Sequence, residues 1–153
     1  MDFIDGAAIK GAVTITLRNV ETGDVDIWHG PNAITNDGLE LFHQCLQGIA
    51  GASPIGYLAI GSGTGSFPGS EEAMYGEHYR RAITTMSIAT NVATYRVYFT
   101  TAQASGLIRE IGLSNSAASG GGVLIGHIQV SPQKEKTSSR EMIVAISHTL
   151  SRA

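Results

Sequence analysis

Apolar residues recur at every second position in one short run after another, and that period commits most of this chain to β-structure. In the C-terminal stretch Met142, Val144, Ile146, His148 and Leu150 alternate with Ile143, Ala145, Ser147 and Thr149. Successive side chains of a strand point to opposite faces, so such alternation sets one row against a core. Tyr95, Val97 and Phe99 face away from Thr94, Arg96 and Tyr98 in the same way, and Thr84, Met86 and Ile88 share a face before a turn at Asn91. Leu107, Arg109, Ile111 and Leu113 alternate with Ile108 and Glu110, and Leu124, Ile128 and Val130 lie opposite Val123, Ile125 and His127. Earlier in the chain, Val13, Ile15 and Leu17 lead through the turn chemistry of Glu21–Asp24 to Val25, Ile27 and Trp28, which spells a first hairpin. Ile55–Ile60 is a short apolar run of the kind found in buried strands.

Roughly eight short strands without interleaved helices predict a mainly β fold, an antiparallel β-sandwich or barrel of jelly-roll-like form. One helix interrupts them. Asp37 is the expected cap, with Glu40 three residues on as capping-box partner. Leu39, Phe42, Leu46 and Ile49 fall at helical spacing with Cys45 on the same side, and Gly48 and Gly51 end the helix. That apolar stripe is expected to pack on a sheet. Residues 1–10 carry no period and read as an N-terminal arm, leaving residues 11–153 as a single β domain. Two stretches read as loops: the glycine-rich segment from Gly61 to Gly76, and the polar, basic run Pro132–Ser139.

Charge narrows the function. Charged residues make up 15% of the 153, against about 25% in an average domain. Several strands are apolar on both faces and must be covered twice. Much of the outer surface is therefore expected to lie against other subunits. The net charge is −3 and the ten Lys and Arg are scattered, so no basic stripe marks a nucleic-acid site. A single cysteine, Cys45, excludes an intrachain disulfide and a multi-cysteine zinc site. The acidic opening Met1-Asp2-Phe3-Ile4-Asp5 has no basic signal-peptide region, and no run of about 20 apolar residues exists to span a membrane. A cytosolic site of synthesis is the expectation.

Catalytic patterns are sparse. Gly61-Ser62-Gly63-Thr64-Gly65 follows a strand but lacks the Lys and Ser/Thr ending of a phosphate loop, and no helix opens behind it. His29, His43, His78, His127 and His148 show no paired metal-ligand spacing, although His127 and His148 are candidates for neighbours across a sheet. No Gly-x-Ser-x-Gly elbow exists, and Cys45 on the apolar helix side is expected to be an inert core thiol. Glu71 and Glu72 read as loop carboxylates that cap a turn or stay solvated. No metal, cofactor or enzymatic centre is expected. Arg109 and Glu110 stand mid-strand among apolar neighbours, where charges persist only when paired. Arg80, Arg81 or Arg96 are the expected partners of Glu110.

Four segments carry a family likeness: Asn32-Ala33-Ile34-Thr35-Asn36-Asp37-Gly38 before the helix, Tyr57-Leu58-Ala59-Ile60-Gly61-Ser62-Gly63, Tyr79-Arg80-Arg81, and Ile108-Arg109-Glu110-Ile111-Gly112-Leu113. In this order, with two closing strands, the chain from Asn32 to Arg152 resembles small β-rich virion proteins of tailed bacteriophages. These include head decoration (cement) proteins and the collar-like heads of tail-fibre or baseplate proteins. The resemblance implies a non-enzymatic homotrimer bound to the major capsid protein or other virion proteins, located on the capsid surface. The chain stops directly after its last strand, which suits a decoration protein better than a fibre with a shaft. The expected interface residues are Phe3, Ile4, Trp28, Phe67, Arg80, Arg81, Arg109 and Glu110. A tail, neck or baseplate part is the alternative. A carbohydrate-binding module is the third reading, with Trp28 and several tyrosines as stacking surfaces.

Overall fold

Burial follows the alternation. In the computed structural model, which describes residues 7–152, Val13, Ile15 and Leu17 are buried, as are Met142, Val144 and Ile146 and the pair Val97 and Phe99. Nine strands and one α-helix are present among the described residues. They are β1 (Ala7–Asn19), β2 (Val25–Pro31), α1 (Asn36–Leu46), β3 (Tyr57–Gly61), β4 (Glu77–Ala82), β5 (Thr85–Ala89), β6 (Val92–Phe99), β7 (Gly106–Ser114), β8 (Leu124–Lys136) and β9 (Arg140–Arg152). Two antiparallel sheets form, in the orders β2-β1-β9-β6-β5 and β4-β3-β7-β8. The fold is a β-sandwich and not a closed barrel. Leu58, Ile60, Ile108, Ile111, Leu113, Ile128 and Val130 of the smaller sheet meet the buried row of the larger one. Each such side chain contributes about 1.5–3 kcal/mol on leaving water. The predicted first hairpin is β1–β2, with Ile15 opposite Trp28.

One lateral seam is closed by side chains. The Trp28 indole N–H donates to the Ser131 carbonyl at 3.1 Å, and Lys134 pairs with Asp26 at 2.8 Å, so β2 is tied to β8.

Several expectations change. Residues 7–10 belong to β1, where Ala7 to Lys10 face Arg152 to Thr149 of β9, so these four are strand and not arm; residues 1–6 of the expected arm lie outside the described residues. The run Pro132–Ser139 is strand as far as Lys136. Lys134, Glu135 and Lys136 pair with Ile108, Leu107 and Gly106 at a sheet edge, where polar residues need not alternate. The helix is capped by Thr35 and not by Asp37: the Gly38 N–H donates to Thr35 Oγ1 at 3.0 Å. Gly48 follows the C-cap with φ +65°, a left-handed stop that glycine adopts without strain.

The helix also docks on a different face from the predicted one. Gly38 and Leu41 are its buried residues, whereas Leu39, Leu46 and Ile49 are exposed, Leu46 by 71%. The cause is close approach. A Cβ on Gly38 would lie 2.2 Å from the Ile125 carbonyl oxygen, so only glycine lets α1 settle this near β8. Cys45 is exposed and lines a groove; it is not a core thiol.

Candidate functional site

Residues far apart in sequence meet in a buried carboxylate–imidazole network on the smaller sheet. His127 projects from β8 on the face opposite Ile128, under the loop between β3 and β4, and is 1% exposed. Its Nε2 lies 2.6 Å from Glu110 Oε2 of β7, and its Nδ1 lies 3.0 Å from Glu71 Oε1 in the loop between β3 and β4. Ionised carboxylates only accept hydrogen bonds, so the arrangement is satisfied when both ring nitrogens donate. Backbone N–H groups complete it. Gly63, Tyr75 and Gly76 donate to Glu110 at 3.1, 3.0 and 2.6 Å, and Gly69 donates to Glu71 at 2.6 Å. Burial pushes the Glu110 carboxyl up. The His127 hydrogen bond, the Tyr75 and Gly76 N–H groups and the imidazole charge outweigh it and hold the group below its ordinary value.

The network pins the long glycine-rich loop onto the sheet. Ser62 N–H donates to the Gly76 carbonyl at 3.0 Å, which closes the loop at its base. Gly63 is required there, since a Cβ would stand 2.4 Å from both Gly76 N and Tyr75 Cβ. Phe67 and Tyr75 cover the imidazole, with ring centroids 4.4 and 5.2 Å from it. A general acid or base must reach its substrate. His127 is buried beneath two rings, and its hydrogen bonds to Glu71 and Glu110 tie the loop to the sheet.

A second polar cluster pins another loop. Arg80 grips Glu77 with both carboxylate oxygens engaged at 2.7 and 2.8 Å, and its third nitrogen donates to the Ser116 and Gly121 carbonyls and to Ser114 Oγ. Burial raises the Glu77 carboxyl, but its hydrogen bonds to Arg80 and to the Gly120 N–H, with the Arg80 charge, bring it below its ordinary value.

Among the predicted site residues, Phe3 and Ile4 lie outside the described residues. Trp28 is 7% exposed and serves the core, so it offers no stacking face to a sugar or partner. Phe67 is half-buried on His127. Arg80 is buried in its loop clamp, and Arg81 donates to the Tyr98 carbonyl and Gln103. Glu110 pairs with His127 and with none of Arg80, Arg81 or Arg96. Glu71 is buried and not a solvated loop carboxylate. His127 and His148 sit in different sheets, so they are not cross-strand neighbours. Arg109 lines a polar depression of about 210 Å³ with Thr64, Gln129 and Gln133; its Nε–H donates to Gln133 Oε1 at 2.7 Å.

Trp28, Arg80 and Glu110 are thus taken up inside the chain, and the largest uncovered apolar side chains lie elsewhere. Beyond Ile146 and Val13 the inner face of the larger sheet continues through His148, Leu150 and Ile9. Between this part of the sheet and α1 runs an apolar groove of about 280 Å³, lined also by Phe42, Tyr95 and Ile88. Burial holds the His148 imidazole below its ordinary value. Exposed Leu39, Leu46, Ile49, Met86, Ile88 and Leu150 belong to the elements that frame this groove or to the turn after α1. No sequence pattern marked this surface, because a stripe of apolar residues does not say whether the cover is internal or external.

No protein-family model, curated protein or solved structure matches the chain.

Proposed function

We propose that the chain is a structural protein of a tailed-bacteriophage particle, a capsid decoration protein that binds the outer shell as a homotrimer and stabilises it. The observation that carries this reading is the set of large apolar side chains left uncovered on α1 and β5, in a chain with few charges. Contiguous exposed apolar surface beyond a few hundred Å² marks an interaction site. The placement of the family-like segments adds support. Tyr57–Gly61, Tyr79–Arg81 and Ile108–Leu113 form three adjacent strands, and Ile34 bridges to Gly126 of the fourth.

The physical mechanism is clamping. A stable interface buries about 1,200–2,000 Å². Repeated around a shell, contacts of modest strength combine into high avidity. A clamp that binds the assembled shell in preference to free subunits makes that shell harder to open by mass action. The loops pinned by His127 and Arg80 suit this work, since rigid surfaces lose little conformational freedom on docking.

Cryo-electron microscopy of the native particle tests the reading. Hundreds of copies on the outer shell are expected. A few dozen copies at the tail, neck or baseplate would move the protein there, and absence from the particle would end the virion reading. Depleted shells that lose thermal stability and regain it on adding the purified chain complete the case. A glycan-array signal without shell binding would favour the sugar-binding alternative.

A further inference from the structure

A sheet edge presents unpaired N–H and C=O groups to any other strand, and proteins normally blunt it with charge, proline or a cover. Three of the four edges here are blunted. β2 carries Asp26 and Pro31 and is tied to β8 through Trp28. β4 carries Glu77, Arg80 and Arg81, and β8 carries Pro132, Lys134, Glu135 and Lys136. The fourth edge, β5, reads Thr85-Met86-Ser87-Ile88-Ala89 and has none of these devices. All five of its residues are exposed, Met86 by 57% and Ile88 by 81%. The whole stretch from Ala82 to Tyr95 lacks Asp, Glu, Lys and Arg. Left open, a flat uncharged β edge of this kind is an aggregation site.

We propose that β5 is the edge by which two copies of this chain join, antiparallel about a two-fold axis at Ser87. That register sets Met86 of each copy opposite Ile88 of the other and Thr85 opposite Ala89. Self-pairing requires that no like charges stand opposite one another, and an uncharged strand satisfies this in any register. β5 is such a strand, whereas β4, with adjacent Arg80 and Arg81, is not. Met86 and Ile88 lie on the pleat face of Tyr95 and Ala93, their partners in β6, so the same contact covers the mouth of the apolar groove that Ile88 lines. The two-fold contact is separate from the three-fold assembly proposed above and would join copies of neighbouring trimers.

Two variants test it, both at exposed positions. In a Cys45→Ser background, Ser87→Cys places two thiols on the axis, within the Cα separation of about 4.4–6.8 Å that a disulfide spans. Oxidation is expected to yield a covalent dimer on a non-reducing gel. Ile88→Lys is expected to halve the mass measured by light scattering, from dimer to monomer or from hexamer to trimer, with an unchanged circular-dichroism spectrum showing that the fold is kept. A Ser87→Cys chain that stays uncrosslinked, or a mass that Ile88→Lys leaves unaltered, overturns the β5 pairing. A trimer that binds shells but shows neither effect would overturn this pairing alone and leave the capsid reading standing.

Discussion

Replacing Glu110 by Gln is the most discriminating change to the buried network. The carboxylate accepts four hydrogen bonds. Oε1 takes the Gly63 and Gly76 N–H groups, and Oε2 takes the Tyr75 N–H and the His127 ring. A glutamine has one acceptor oxygen, and its amide nitrogen must then face donors. At least one buried N–H loses its partner, which costs about 1–3 kcal/mol. His127 Nε2 also loses its carboxylate partner, and a hydrogen bond to a charged group is worth about 1.5–3 kcal/mol. These terms overlap, so the expected loss is about 3 kcal/mol, a large part of the roughly 5–15 kcal/mol that holds a domain together. Urea unfolding gives the total. Hydrogen exchange at the Gly63, Tyr75 and Gly76 amides gives its location, and exchange there is expected to quicken most. The pH dependence has a definite sign. A carboxyl held below its ordinary value of 4.5 stabilises the fold fully above that pH, and the contribution is lost as pH falls toward the lower folded value. The gap between parent and variant is therefore expected to narrow in acid. A loss under about 1 kcal/mol with unchanged exchange at the three amides would refute the reasoning, because neutral hydrogen bonds of about that worth would then suffice to hold the loop.

Other sites give smaller or opposite effects. Thr35→Ala removes the acceptor for the Gly38 N–H and the donor to the Leu124 carbonyl, and is expected to cost about 1–2 kcal/mol in chemical denaturation. Gly63→Ala forces a Cβ to within 2.4 Å of Gly76 N, so the loop base must open; a loss of about 2 kcal/mol and faster proteolysis between residues 62 and 76 are expected. Lys136 is buried with its ammonium on the Thr101 carbonyl and no carboxylate partner among the described residues, and burial holds it below its ordinary 10.5. Lys136→Met is expected to be neutral or up to about 1 kcal/mol stabilising at pH 7. In the parent, stability is expected to rise with pH between the folded value and 10.5, where the unfolded chain binds more protons, and the methionine variant is expected to lose that rise.

The strands were legible because a period of two survives any tertiary arrangement: Met142, Val144 and Ile146 had to share a face whichever sheet they joined. The helix shows where the pattern stops informing. Leu39, Phe42, Leu46 and Ile49 do form a stripe, but the docking surface is set by the glycine at position 38 and the path of β8 beneath it. Capping was misplaced by two residues for a related reason. Thr35 and Asp37 are both good caps in isolation, and Thr35 prevails because its hydroxyl also reaches a carbonyl of β8. Edge strands were hard to read in both directions: the polar end of β8 looked like loop, and nothing in β5 announced that it would lack a neighbour.

The candidate site was legible only in fragments. Glu110 stood out as a charge amid apolar residues, and the need for a partner followed from burial alone. Its identity did not, since the partner is selected by sheet order: β7 lies between β3 and β8, so Glu110 meets the loop that leaves β3 on one side and His127 on the other. That order also explains how strength is distributed. The loops after β3 and β7 carry many polar backbone groups, and the side chains of Glu110, Glu71, Glu77 and Arg80 satisfy several of them within one chain. α1 and β5 lack such cover on one side, where Leu39, Leu46, Met86 and Ile88 remain exposed. If the two regions divide the work in this way, they separate under mutation. Changes in the network lower stability while particle mass is kept as long as the chain stays folded. Changes on β5 alter mass and leave amide exchange in the pinned loop unchanged. A network variant that dissociated the assembly without loosening its own loop would show that the pinned loop is itself part of the contact.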